Sequence, residues 1–141
     1  MPSQADTAVL AHQVATMSLL IREHMSDLLQ ELDITEPLAN LLWYADAQPE
    51  PVPLRRLAVR LHCDPSNVTL MCAKLEEKGL AQRRPHPGDG RVRTLVVTEE
   101  GRAVRDRLLE RAHTTPTLSA LDADERVVLQ GLLSKALAAG S

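Results

Sequence analysis

Between Ala8 and Leu32 the apolar residues fall at Leu10, Val14, Met17, Ile21, Met25, Leu28 and Leu32, in steps of three and four that keep them on one stripe of a helix. Such a helix would extend about 37 Å at ~1.5 Å per residue, long for the core that a 141-residue chain can build. The stripe therefore either closes on other helices of the same chain or meets a second copy. Length alone favours one domain, spanning residues 1–141. Apolar residues make up 44% and charged ones 25%, a balance that supports a packed core. Trp43 and Tyr44 are accompanied by no Phe, so aliphatic side chains must fill that core, and the expected class is mainly α.

The helical pattern continues along the chain. Thr35 offers an N-cap oxygen, Glu36 suits the first turn, and Leu38, Leu41, Leu42 and Ala45 carry a second helix. Pro49, Pro51 and Pro53 should end it. Leu54, Leu57, Ala58 and Leu61 predict a short helix with Arg55, Arg56 and Arg60 outward, followed by a turn at His62 and Cys63. Asp64 can cap and Pro65 is preset for a first helical position, so a helix is expected over 65–78, stopped by a left-handed Gly79. Residues 80–84 and 92–98 have the composition of two short strands, joined by a long tip at Pro85-His86-Pro87-Gly88-Asp89-Gly90. Thr98, Glu99 and Glu100 open a helix with Val104, Leu108 and Ala112 inward, and Thr115-Pro116 interrupts it. Asp122 and Glu125 have capping-box spacing ahead of an apolar run from Val128 to Leu137. Two helices joined by a tight turn and followed by a hairpin form a winged helix-turn-helix, expected over 35–98, with long terminal helices at 8–32 and 99–138 as dimerisation arms.

Charge sharpens this expectation. The whole chain carries −3, yet residues 51–95 hold nine Lys or Arg against four Asp or Glu, a local +5 that leaves −8 on the flanks. A basic middle between acidic arms suits a polyanion at the centre and a different task at the ends. On a helical wheel Val68, Met71, Cys72 and Leu75 of the 65–78 helix fall on one side, and Ser66, Leu70 and Ala73 on the other. Asn67, Thr69 and Lys74 flank the outward face. Asn67 is suited to a bidentate pair with adenine and Leu70 to a thymine methyl.

This pattern, carried by Leu57-Ala58, Asp64-Pro65-Ser66-Asn67-Val68-Thr69, Leu75-Glu76-Glu77-Lys78-Gly79-Leu80, Arg83, Asp89-Gly90-Arg91 and Val97-Thr98-Glu99-Glu100-Gly101, resembles the MarR family of bacterial transcriptional regulators over roughly residues 35–105. The resemblance implies a homodimer with intertwined terminal helices, its recognition helices spaced about 34 Å apart on a pseudo-palindromic duplex. It implies a repressor that reads double-stranded DNA. The recognition-helix residues are Ser66, Asn67, Thr69, Leu70 and Lys74, and the wing residues Asp89, Arg91 and Arg93. Arg91 beyond a glycine-rich tip suits a narrow minor groove, with Asp89 holding its side chain extended. Arg55, Arg56, Arg83 and Arg84 are expected at phosphates. Two departures stand out: Gly90 replaces a frequent second arginine, and Leu70 a frequent arginine or other polar residue.

The family often senses anionic aromatic ligands near the cleft between arms and winged domain, which makes Trp43, Tyr44 and His24 candidate effector contacts, although Trp43 by itself suits plain core. No His pairs with a second ligand at i, i+4, and Cys63 and Cys72 form no CxxC, so neither metal nor other cofactor is expected. Cys63 as a redox-active thiol stays open. The chain has no nucleophile elbow, P-loop or dinucleotide fingerprint, so an enzyme is not expected. No apolar run approaches the ~18 residues of a membrane span, and Met1–Thr7 lacks the pattern of a leader, which places the chain in the cytoplasm. The alternative is a winged-helix protein-interaction module without specific DNA binding.

Overall fold

Leu41, Leu42, Leu57, Val68, Cys72, Leu75 and Leu95 exclude solvent completely and form the centre of one apolar cluster. The computed structural model in which they do so describes residues 3–46 and 50–140. The chain divides into two units, one of residues up to Ser26 with those from Arg111 onward, the other Asp27–Glu110. The class is mainly α with a small antiparallel sheet, as expected.

The central cluster belongs to the 27–110 unit. It contains the end of α1 (Gln4–Glu31), α2 (Glu36–Asp46), β1 (Val52–Pro53), α3 (Leu54–Arg60), α4 (Pro65–Glu77), β2 (Ala81–His86), β3 (Asp89–Val97) and most of α5 (Glu99–His113). The sheet order is β1-β3-β2, with Val52 opposite Leu95 and Ala81 opposite Val97. The α3–α4 turn uses a left-handed His62 (φ 52°), and the Cys63 amide donates back to the Ala58 carbonyl at 3.1 Å. Asp64 occupies the N-cap of α4 with Pro65 behind it, yet its carboxylate makes no capping bond.

Gly79 ends α4 at φ +71°, where L side chains are strained. The Leu80 amide then reaches back to the Leu75 carbonyl at 2.9 Å, the six-residue closure that satisfies a terminal carbonyl. Thr98 meets this same point from the end of β3, which lies beside the start of β2. Its amide donates to the Leu80 carbonyl at 3.0 Å, its hydroxyl to the Gly79 carbonyl at 2.6 Å, and it accepts the Gly101 amide at 3.1 Å. The first turn of α5 comes so near that a Cβ on Gly101 would lie 2.0 Å from the Leu80 carbonyl oxygen and 2.7 Å from Val97 Cγ1.

Several expectations need correction. The strands extend to His86 and Asp89, so the tip is short, at Pro87-Gly88, rather than the six residues from Pro85 to Gly90. Pro85 pairs with Arg93 from β2, an edge strand, where a missing amide is tolerated, and the register then jumps to His86 opposite Asp89. β1 is a strand that the run of prolines concealed. Pro49 lies outside the described residues. Ala112 is exposed rather than inward.

In the other unit, α1 starts earlier than Ala8, at Gln4. Ser3 and Asp6 cap it reciprocally: the Ser3 amide donates to Asp6 Oδ2 at 2.9 Å and the Asp6 amide to Ser3 Oγ at 3.2 Å, a box whose spacing is visible in the sequence. A short α6 (Pro116–Ser119) precedes α7 (Ala123–Ala139). The Asp122–Glu125 capping box forms as its spacing predicts, at 2.9 and 2.8 Å. Nothing on α7 is buried: Val127, Val128, Leu132, Leu133 and Leu137 are all exposed, as are Val9, Leu10 and Val14 on α1.

The Leu80 joint yields a first prediction. Gly101→Ala forces backbone apart, because the clashing atom is a carbonyl oxygen rather than a flexible side-chain end, and should cost about 3 kcal/mol. A urea denaturation midpoint equal to that of the wild type would show that α5 is not held against Leu80.

Candidate nucleic-acid interface

Burying Val68, Cys72 and Leu75 fixes the rotation of α4 about its own axis. That rotation leaves Ser66, Asn67, Thr69, Leu70 and Lys74 exposed on one surface. Leu70 is 56% exposed, far from its usual place in a core. The Thr69 hydroxyl donates to the Pro65 carbonyl at 3.1 Å, which leaves its oxygen lone pairs outward. Arg55 and Arg56 are exposed on α3.

A side-chain pair adds a lateral tie between the hairpin and α4. Glu76 Oε1 accepts both the Arg83 backbone amide (3.1 Å) and its Nε–H (2.5 Å), and each side chain of the pair is about one-third exposed. Arg83, expected at a phosphate, is thus engaged with Glu76 and orients the base of the wing against the helix. The Glu76–Arg83 spacing was legible as opposite charges, but only the pairing of β2 beside α4 reveals their meeting. Arg84 donates from Nε and Nη2 to Gln82 Oε1 at 3.1 and 2.6 Å on its own strand. Arg91 and Arg93 are exposed. Asp89 acts on backbone rather than on a guanidinium: its Oδ1 accepts the Arg91 amide at 3.1 Å, which shapes the strand from which Arg91 projects.

Sequence reasoning missed a second clamp. Lys78, just past α4, donates from Nζ to the Asp33 carbonyl at 2.6 Å and to Asp33 Oδ2 at 3.0 Å. Asp33 holds φ 51° in the turn after α1, so its carbonyl projects where a side chain from α4 can reach it.

Trp43, which suited plain core, is instead 46% exposed. The Arg105 guanidinium lies over its ring, 5.3 Å from the centroid, and Arg105 Nε is 3.7 Å from Asp46 Oδ2. This covers one indole face by a cation–π contact. Tyr44 is half-buried against the central cluster. His24 belongs to the other unit, where its Nε2–H donates to the Arg111 carbonyl at 3.0 Å and lies 3.1 Å from Thr114 Oγ1. A groove of about 640 Å³ opens beside α4, bounded by Pro37 and Asn40 of α2, Cys63 of the turn, and Asn67, Leu70 and Met71. It includes neither Trp43 nor Tyr44. Among the described residues no group of three or more His, Cys, Asp or Glu is placed to hold a metal ion, and no helix is long and apolar enough to cross a membrane.

Of the two thiols, Cys63 is half-buried and Cys72 wholly buried. Burial pushes the Cys72 thiol above its ordinary value of 9.0 to about 11, against an opposing pull from the Arg83 guanidinium. The unfolded chain therefore ionises first, and the contribution is intact below pH 9. The native state should lose on the order of 2 kcal/mol as the pH rises from about 9 to about 11. Urea titrations of wild type and Cys72→Ala across that range test this: the alkaline loss should shrink in the variant, and an unchanged loss would place its origin elsewhere.

The MarR family model matches residues 34–92. Among solved structures, CouR from Rhodococcus jostii RHA1 bound to p-coumaroyl-CoA is similar at TM-score 0.80 and 24% identity over 93% of each chain. The transcriptional repressor CouR bound to a 23-mer DNA duplex gives 0.75 and 24%, over 93% of this chain and 94% of that one. The PcaV transcriptional regulator from Streptomyces coelicolor, in complex with its natural ligand, gives 0.69 and 27% over 94% and 92%. The sequence matches no curated protein.

Proposed function

We propose that the chain is a winged helix-turn-helix regulator of the MarR family, whose model matches residues 34–92, and that it represses transcription as a homodimer on a pseudo-palindromic operator. The observation that carries this reading is the face of α4. Three buried residues fix it, short polar groups and an exposed Leu70 occupy it, and a basic hairpin is clamped beside it through Arg83 and Glu76. A surface helix without a ligand gains nothing from an outward leucine; a base edge with a methyl group does.

In this reading α4 enters the major groove, where Asn67 pairs with a base edge and Leu70 meets a methyl. Ser66, Thr69 and Lys74 contact flanking bases or phosphates. Arg91 enters the minor groove from the wing, supported by Arg93, while Arg55, Arg56 and Arg84 meet the backbone. Arg83 orients the wing. The likeness to a repressor solved on duplex DNA supports the reading. The chain carries no catalytic role here. Exposed Leu70 and the glycine at position 90 also favour a second reading, a winged-helix module that binds protein without specific DNA recognition. A gel-shift titration on the chain's own upstream promoter separates the two, since the module gives no specific shift.

Two predictions follow from this arrangement. Arg91→Ala should weaken operator binding about tenfold and lower the log–log salt slope by about 0.9, one phosphate charge; unchanged binding at fixed salt would refute the wing's role. On this reading each subunit occupies one half-site, and the exposed apolar stripe on α7 supports α7 as the surface that joins the two subunits. Leu132→Glu with Leu133→Glu should give a monomer by sedimentation and lose roughly a hundredfold in operator affinity, as the second half-site stops adding to the first. A charged double variant that stays dimeric would remove α7 from the interface.

A small aromatic or anionic effector is the further partner of this reading. Regulators of this fold have been solved with p-coumaroyl-CoA and with a natural ligand. In this chain the half-exposed Trp43 and the Arg105 guanidinium over it offer an aromatic edge and a positive charge to such a molecule.

A further inference from the structure

The wing tip lacks the backbone that usually closes a short hairpin. Two-residue tips normally place one or both central residues at positive φ, because only those turns match the twist of the strands. Neither Pro87 nor Gly88 has a positive φ, and proline at the first central position rules out the turn that needs it there. The strands must be closed by something else.

Two side chains do this in the same way, each accepting an amide two residues ahead. Asp89 Oδ1 accepts the Arg91 amide at 3.1 Å, and His86 Nδ1 accepts the Gly88 amide at 2.9 Å. The His86 ring is half-buried and lies across the tip, so that a Cβ on Gly88 would sit 3.4 Å from both Cε1 and Nδ1. His86 also stands opposite Asp89 in the strand register, at the point where the register jumps. An Nδ1 that accepts must be unprotonated, so the neutral ring carries its proton on Nε2. The two bonds are consecutive: His86 sets Gly88, the next residue is Asp89, and Asp89 sets Arg91.

We propose that His86 is a positioning residue of the wing, which holds the Pro87-Gly88 tip through its Nδ1 and so delivers Arg91 to the duplex at a fixed angle. The proposal rests on the DNA-binding reading above. It gives His86 no base contact of its own; its effect is exerted through Asp89 and Arg91. Asparagine can supply an acceptor to the amide two residues on, as it does in turns generally, whereas leucine keeps bulk and supplies none.

The test uses the full-length protein and a duplex that the wild type enriches from a random-sequence pool. His86→Leu should weaken binding about fivefold to tenfold, the order expected for one hydrogen bond, without a change in melting temperature. His86→Asn should recover most of that loss. In an Arg91→Ala background His86→Leu should have little further effect, because the residue through which it acts is gone. Wild type that binds while His86→Leu binds equally well would overturn the proposal alone, as would an undiminished His86→Leu effect without Arg91. Failure of the wild type to prefer any duplex over bulk competitor would overturn the underlying reading and the proposal with it.

Discussion

The geometry of this molecule's winged unit turns on the peptide between Gly79 and Leu80. Its neighbours on both sides are claimed: the Leu80 amide closes α4 onto the Leu75 carbonyl, the Leu80 carbonyl receives Thr98 from the end of β3, and the Gly79 carbonyl receives the Thr98 hydroxyl. One short stretch therefore sets the exit of the helix, the start of β2, the end of β3 and the start of α5. The requirements on sequence are strict. Gly79 must turn left-handed, Thr98 must reach backward with a hydroxyl, and Gly101 must carry no Cβ. Because α4 and the hairpin both leave from this joint, their mutual angle is a property of the backbone, and the Glu76–Arg83 pair then holds it from the side.

That pair also shows how net charge misleads about binding. Counting basic residues treats Arg83 as equal to Arg91, yet the Arg83 guanidinium already has Glu76 at 2.5 Å and is two-thirds covered. Exposed ion pairs contribute little to stability, but a half-covered pair whose acceptor also takes a backbone amide restricts two elements at once. Within residues 51–95 the positive charge that is exposed and outside the ion pairs of Arg83 and Lys78 lies on Arg55, Arg56, Arg60, Lys74, Arg84, Arg91 and Arg93, which is the set that a polyanion can reach there.

What was legible in the sequence follows from the range of the forces involved. Helix periods and caps are local, so α2, α3, α4 and the Asp122–Glu125 box could be placed from residues a few positions apart. The outward face of α4 was legible for the same reason, since burial of Val68, Cys72 and Leu75 dictates where Leu70 points. The wing tip was less so. Pro85 looked like a strand terminator because its tolerance depends on β2 lying at an edge, which is a fact of sheet order and not of local sequence. Val52 and Pro53 became a strand only through Leu95 and Thr94, forty residues away by the register of pairing. Trp43 defeated the usual expectation for an aromatic because Arg105, more than fifty positions on, supplies a charged cover that no periodicity announces.

The arms pose the complementary case, in which the sequence pattern is clear and the chain does not satisfy it. A 17-residue helix is near the length at which isolated helices are marginal in water. The capping box at its start contributes only about 1 kcal/mol, and none of its residues is buried. Val127, Val128, Leu132, Leu133 and Leu137 of α7 face solvent, as do Val9, Leu10 and Val14 on α1. Burial of a single leucine is worth about 2 kcal/mol, so covering even three of these outweighs all local terms. A stripe of this kind is stable when a second copy presents the same stripe, because an isologous contact covers both at once. On the proposed reading the acidic flanks serve assembly and the basic centre the duplex, and the separation of charge along the chain is a division of labour between two surfaces.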